Sequence, residues 1–276
     1  MEYIECAFKG ISPSTGEMLV ALLSNMAFDT FHEEDGQLMA YIAEADWNTE
    51  VQAEMEAISA QFGCQFSYVH IADKNWNEEW EKNFPHIVVD EQCLIRAPFH
   101  HIDKKYPYTI TIEPRMSFGT GHHASTFLMI RRMLQMDFKG KKVCDAGSGT
   151  GILAIMAVML GADHVFALDN NEWAFNNSLD NIAMNGVADK VHIELGEMEM
   201  LEGKRFDVLL ANINRNVLVQ YMPQLELALE QQGELVLSGV LTADMQHILD
   251  AAAAQGLQLT QHLQLEEWSC AAFSHP

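Results

Sequence analysis

From Val143 the chain reads VCDAGSGTG and runs straight into the apolar stretch ILAIMAVML. A short apolar strand, a turn carrying Gly147, Gly149 and Gly151, and an apolar run of helical length make the opening βα step of a parallel sheet. The residues beyond it keep the same rhythm. Strand 142 to 145, helix 151 to 160, strand 164 to 168, helix 172 to 184 and strands 190 to 194 and 206 to 211 follow in order. A helix at 216 to 230, a strand at 233 to 239, a helix at 242 to 255 and strands at 257 to 265 and 268 to 274 complete the pattern. This predicts an α/β fold with a Rossmann-like, doubly wound, mostly parallel sheet. The last two strands are joined too tightly for a crossover helix, so they are expected to be antiparallel.

In such a sheet a ligand sits at the carboxyl ends of the strands, beside the first glycine turn. The turn does not suit a phosphate. A dinucleotide fingerprint requires glycine where Ile152 stands, and the P-loop pattern is absent. Asp145, two residues ahead of Gly147, would repel a pyrophosphate and suits a ligand with a positive group. It is equally able to cap its own turn, and both readings stay open. Asp169 ends the second strand about 20 residues on, the spacing at which a carboxylate accepts both ribose hydroxyls of an adenosine. An adenosyl ligand with an ammonium, a sulfonium and no phosphate meets these conditions, which points to S-adenosylmethionine. Glu197, past the third strand, lies where an adenine amino group would be received.

The strand FDVLLANIN is apolar until Asn212. An amide oxygen at that tip, with the carbonyl of Ile213, accepts N–H bonds from an amine and turns the nitrogen lone pair toward the methyl donor. The plainer alternative is a polar residue that merely ends the strand.

Charge narrows the partner. The formal net is -23, from 39 acidic and 16 basic residues. Residues 1 to 72 hold twelve acids and one base, Lys9. That field repels nucleic acid and attracts a cationic client, so no direct nucleic-acid binding is expected. The same segment reads strand 3 to 8, helix 13 to 26, strands 27 to 32 and 37 to 42, helix 49 to 61 and strand 65 to 71. That is the ferredoxin-like βαββαβ order. In DKNWNEEWEKNF (73 to 84), Trp76, Trp80 and Phe84 share one helical face, as in a linker helix that packs on a neighbouring domain. Short strands are expected at 87 to 89, 93 to 97 and 108 to 112. Five scattered cysteines without a CxxC pair fit a reducing cytoplasm. The start MEYIECAFKG has neither a basic leader nor a long apolar core, and no apolar run of membrane-spanning length follows. His122-His123 lacks a third ligand at a recognisable spacing, so no metal is expected.

The segment EPRMSFGTGHHAST (113 to 126) resembles a motif of the bacterial ribosomal-protein methyltransferase family that acts on the large-subunit stalk-base protein, the eleventh of its series. WNEEWEKNF, DAGSGTGILAI, ALDNN, LLANI and GELVLSGVL are similar to that family as well. The resemblance implies a class I S-adenosylmethionine-dependent methyltransferase domain over 111 to 276 and a ferredoxin-like substrate-recognition domain over 1 to 72. Residues 73 to 110 would be a linker helix and short strands. It implies methylation of lysine ε-amines and of an α-amine, by a cytoplasmic monomer. Carried over position by position, the cofactor contacts are Thr126, Gly147, Asp169 and Asn212, with Asp145 and Gly149 from the turn. Phe118, Gly119, Thr120 and Gly121 would close over cofactor and target amine, and Asn212 and Ile213 would hold the amine. Ser125 stands where the family has threonine, Arg115 where it has glycine, and Asn214-Arg215 where it has apolar or small residues.

Overall fold

The computed structural model describes residues 3–34, 36–71, 81, 83–115 and 117–276, grouped into two units, Met1–Asn83 and Phe84–Pro276. The first unit is built from β1 (Tyr3–Lys9), α1 (Pro13–Leu23), β2 (Phe28–Glu34), β3 (Gln37–Ala43), α2 (Thr49–Phe62) and β4 (Gln65–Ile71). Its sheet order is β2-β3-β1-β4, antiparallel throughout, which is the ferredoxin-like arrangement. Alternation along β1 and β3 puts Ile4, Cys6, Phe8, Leu38, Ala40 and Ile42 on one face, packed with Leu19 and Leu23 of α1 and Met55 and Ile58 of α2. Helix α1 ends at Leu23, short of the expected Met26. Ser24 Oγ and Asn25 Nδ2 turn back onto the carbonyls of Val20 and Ala21 at 2.6 and 2.7 Å and close the helix there. The expected linker helix at 73 to 84 falls mostly outside the described residues.

In the second unit a small sheet, β5 (Ile87–Val89), β6 (Cys93–Arg96) and β7 (Tyr108–Thr111), precedes the large one. Residues 84 to 110, expected to belong to a separate linker region, group with the large sheet. The sequence then forms α3 (Ala124–Met133), β8 (Lys142–Ala146), α4 (Ile152–Met159), β9 (His164–Asp169), α5 (Glu172–Met184), β10 (Val191–Leu195) and β11 (Phe206–Asn212). It finishes with α6 (Arg215–Leu227), β12 (Leu229–Leu241), α7 (Met245–Ala254), β13 (Gln258–Leu265) and β14 (Trp268–Ser274).

The order β10-β9-β8-β11-β12-β14-β13 is parallel from β10 to β12, and β14 runs antiparallel to both its neighbours. Strand order reverses between β8 and β11, which opens a crevice at their carboxyl ends. One core, with α3, α4 and α5, covers one face of the sheet, and a second, with α6 and α7, covers the other.

Two further features depart from the expectation. Helix α3 was not anticipated between 112 and 142. Its buried face, Leu128, Met129, Arg132 and Met133, includes a charge, and Arg132 is neutralised by an ion pair with Glu234 of β12. Strand β12 also begins at Leu229, inside the stretch expected to be helical, because Leu229 pairs with Phe206 at the start of β11.

Candidate active site

The carboxyl ends of β8, β9, β10 and β11 border a cavity of about 470 Å³, a size suited to a small-molecule ligand. Its floor is the glycine turn between β8 and α4. Gly147 and Ser148 both donate their N–H to the carbonyl of Leu168, at 2.9 and 3.0 Å, which locks the turn onto the end of β9. Gly147 has φ +79°, and a Cβ there would collide with Ile213 Cγ2. At Gly149, φ +57°, a Cβ would collide with the carbonyl oxygen of Phe118. Only glycine meets both demands, left-handed backbone and close approach.

The segment from Phe118 to Gly121 is strapped to this turn. Thr150 donates its N–H to Phe118 O at 2.9 Å and its hydroxyl to Gly119 O at 2.6 Å. From below, Ser178 Oγ donates to Gly149 O at 2.8 Å, and Asn181 Nδ2 to Thr150 O at 2.9 Å. Asn181 Oδ1 also accepts the N–H of Glu113 at 2.9 Å, so this fully buried α5 residue ties the turn to the approach of the Phe118 segment. Sequence reasoning did not single it out.

Asp145, expected to face the ligand, lies behind the turn. Along β8, Val143 packs on the α4 face and Cys144 and Ala146 on the opposite one. Alternation therefore sends Asp145 beneath α4. Its Oδ2 accepts the N–H of Ala154 in the first turn of α4 at 3.0 Å, its Oδ1 is buried without a hydrogen-bond partner, and it does not line the cavity. Burial pushes its carboxyl up to about 7, against the lowering effect of the Ala154 N–H, with the charge of Asp169 adding to the rise.

Asp169, at the tip of β9, lines the cavity. Its Oδ2 accepts the N–H of Gly149 at 2.8 Å and its Oδ1 that of Asn171 at 2.9 Å. A carboxylate has about four lone-pair sites, so each oxygen keeps one to offer. Next to it, Asn170 Nδ2 donates to Glu197 Oε1 at 3.2 Å, and Gly196, Glu197 and Met198 continue the wall.

Asn212 ends β11, is 9% exposed and lines the cavity from the other side. Its Nδ2 donates to Thr126 Oγ1 at 3.2 Å, while its Oδ1 is buried and unpartnered. Thr126 is fully buried on α3 and therefore acts on Asn212, without lining the cavity itself. Thr120 is outside the lining too, its hydroxyl paired with His122 Nδ1 at 3.2 Å, and His122 Nε2 is tied to Pro85 O at 2.8 Å. Phe118, Gly119, Gly147, Gly149, Asp169, Asn212 and Ile213 are thus brought together, and Asp145, Thr120 and Thr126 are not.

His123 and Trp268 complete the wall. The His123 ring meets the edges of Trp268 and Phe118 at centroid distances of 4.3 and 5.0 Å, and its Nδ1 lies 2.7 Å from Ser125 Oγ. Burial lowers the pKa of His123 below the ordinary 6.5, and the charges of Glu267 and Glu266 oppose that shift. The unusual residues have local employment. Asn214 Oδ1 caps α6 by accepting the N–H of Val217 at 3.2 Å, Arg215 pairs with Asp244 at 2.7 Å, and Arg115 with Asp180 at 2.6 Å.

Comparison with known proteins gives a consistent result. The family model described as ribosomal protein L11 methyltransferase (PrmA) matches residues 17–276. A protein named ribosomal protein L11 methyltransferase from Bacteroides thetaiotaomicron is 39% identical over 282 residues, covering 100% of both chains. One of the same name from Phocaeicola vulgatus is 38% identical over 279 residues, covering 99% of each. Among solved structures, a ribosomal protein L11 methylase from Lactobacillus delbrueckii subsp. bulgaricus superposes with a TM-score of 0.65 at 26% identity. The match covers 70% of this chain and 99% of that one.

Proposed function

Because the chain belongs to the ribosomal protein L11 methyltransferase family, we propose that it methylates lysine ε-amines and the N-terminal α-amine of ribosomal protein L11, with S-adenosylmethionine as methyl donor. The bound cofactor supplies a methyl group on a positively charged sulfur. Everything else is the work of the chain's own residues.

The cavity residues fit that ligand. The spare lone pairs of Asp169 suit two ribose hydroxyls, Glu197 stands where an adenine amino group would be received, and the glycine turn lets the backbone approach closely. Asp145 serves by holding the first turn of α4 against β8. The observation that carries the reading is the unpartnered Oδ1 of Asn212. A buried amide oxygen without a donor is costly in the free protein, and Thr126 holds the amide so that this atom remains the available one. An amine nitrogen supplies the missing N–H. Two such bonds, to Asn212 Oδ1 and the Ile213 carbonyl, orient a neutral amine for attack along one line.

Electrostatics favours a protein client over RNA. A chain of formal charge -23, with a single base in its first 72 residues, suits a lysine-rich partner and repels phosphates. On this reading the acidic N-terminal unit recognises the client, and the enzyme works in the cytoplasm. The test is incubation with labelled S-adenosylmethionine and, separately, purified L11 and ribosomal RNA. Label in L11 supports the reading; label in RNA alone overturns it.

A further inference from the structure

Phe118 and Gly119 line the cavity, as His123 and Trp268 do, yet they belong to a segment without helix or strand. A loop residue shapes a site only where something rigid holds it. Among the described residues, two hydrogen bonds hold this pair, and both come from Thr150: its N–H to Phe118 O at 2.9 Å and its hydroxyl to Gly119 O at 2.6 Å. Thr150 is fully buried and is itself fixed from beneath. Asn181 Nδ2 donates to its carbonyl at 2.9 Å, and Ser178 Oγ to the carbonyl of Gly149 at 2.8 Å.

The two segments are shaped for each other. Gly119 has φ +105°, and a Cβ there would lie 2.7 Å from Thr150 Oγ1. Gly149 in turn leaves room for the carbonyl of Phe118. A glycine on each side makes way for the hydrogen-bonding group on the other, so the fit depends on Phe118-Gly119 and Gly149-Thr150 together. The N–H bond needs no particular side chain at position 150. The hydroxyl bond does, and a β-branched threonine is stiff about χ1, which aims its donor.

Building on the function proposed above, we propose that Thr150 is a positioning residue for methyl transfer, acting through Phe118. Its hydroxyl holds Gly119 and so sets where the Phe118 ring stands. That side chain is 50% exposed, and its ring packs edge-on with His123 at a centroid distance of 5.0 Å. It leaves an apolar surface at the cavity for the methylene chain of a target lysine to cover. His123 begins the helix that carries Thr126, which holds Asn212. The wall against the methylenes is therefore set through Thr150 and the acceptor for the amine through α3. Displacing the wall lets the amine swing off its line of attack, which costs rate even with cofactor and client bound.

The test sets Thr150→Val beside Thr150→Ser. Valine keeps the shape and the N–H bond and loses the hydroxyl; serine restores it. At saturating cofactor and L11, single-turnover methyl transfer by Thr150→Val should fall about 10-fold, the scale of one hydrogen bond. Thr150→Ser should keep most of the wild-type rate, and calorimetry should show unchanged S-adenosylmethionine affinity in both. In a Phe118→Ala background, itself slower, adding Thr150→Val should cost little more, because the ring it positions is gone. An undiminished rate for Thr150→Val, a loss that serine does not restore, or an equal loss with and without the Phe118 ring overturns the proposal. So does a cofactor affinity that falls by the same factor as the rate, which would make the hydroxyl a support for the turn alone. Hydrogen exchange of the wild type, with neither cofactor nor client, reads the fastening directly. The Thr150 amide should exchange as slowly as the Gly151 amide, which is bonded within the turn to Ser148 O at 2.8 Å. Exchange of Thr150 at the rate of an exposed amide overturns the proposal even if the variants do not fold. Failure of wild type to label L11 while that amide is protected bears on the proposed function alone.

Discussion

Replacing Asn212 with alanine should leave stability nearly unchanged while activity falls. The side chain makes one hydrogen bond, Nδ2 to Thr126 Oγ1 at 3.2 Å, and leaves Oδ1 buried and unpartnered. An ordinary hydrogen bond contributes about 1 kcal/mol net, and an unsatisfied buried polar atom costs about 1–3 kcal/mol. Truncation removes both but leaves the fully buried Thr126 hydroxyl without its partner, a cost of the same size, so the stability of the free protein should stay within about 1 kcal/mol of wild type. The same truncation deprives the amine of its acceptor. A hydrogen bond to a charged or charging group is worth about 1.5–3 kcal/mol, so methyl transfer should fall roughly 10- to 100-fold, with client affinity much less affected. Urea unfolding at equal protein concentration and single-turnover transfer from saturating cofactor measure the two sides. An Asn212→Ala protein that is less stable by 1 kcal/mol or more and turns over normally would show that the residue serves only to end β11, and would refute the reasoning.

Two further outcomes follow from the same geometry. Asp169→Ala removes a carboxylate suited to two ribose hydroxyls; at about 1.5 kcal/mol or more for each bond, cofactor affinity by calorimetry should weaken at least 100-fold, and unchanged affinity would remove Asp169 from the site. Asp145 titrates near 3.8 when unfolded and at about 7 in the fold. The native state therefore binds the extra proton between those values, and stability falls as pH rises from about 4 to about 7, then levels. Relative to Asp145→Asn, wild type should lose on the order of 2 kcal/mol between pH 5 and pH 8, and a difference independent of pH would show that the carboxyl is already ionised in the fold at pH 5.

The parallel sheet was legible because its strands are apolar runs bounded by turn residues, and buried strands have little other way to be written. Helix α3 was not. Its N-cap is His123 in place of the usual Ser, Thr, Asp or Asn, it has no acid in its first turn, and its core face includes Arg132. The motif from Glu113 to Thr126 ends inside that helix and so hid its start. At the site, strand tips were readable, and Asp169 and Asn212 stand where the alternation of strand and helix puts them. The side from which each acts was harder to see. Asp145 is next to the turn in sequence, yet the pleat of β8 points it away from the cavity, under Ala154. The unpartnered oxygen of Asn212 depends on Thr126, 86 residues earlier in the chain, and the wall beside it on His123 and Trp268. Pairings across such separations are made by the sheet order, which no local pattern encodes.

The most direct measurement is fragment mass spectrometry of L11 after incubation with the purified protein and S-adenosylmethionine, set beside the Asn212→Ala variant. The predicted result is added methyl groups on amine nitrogens, at lysine side chains or the α-amine, sharply reduced by the variant. Methyl groups on carboxylates or hydroxyls, or an L11 of unchanged mass, would contradict the account.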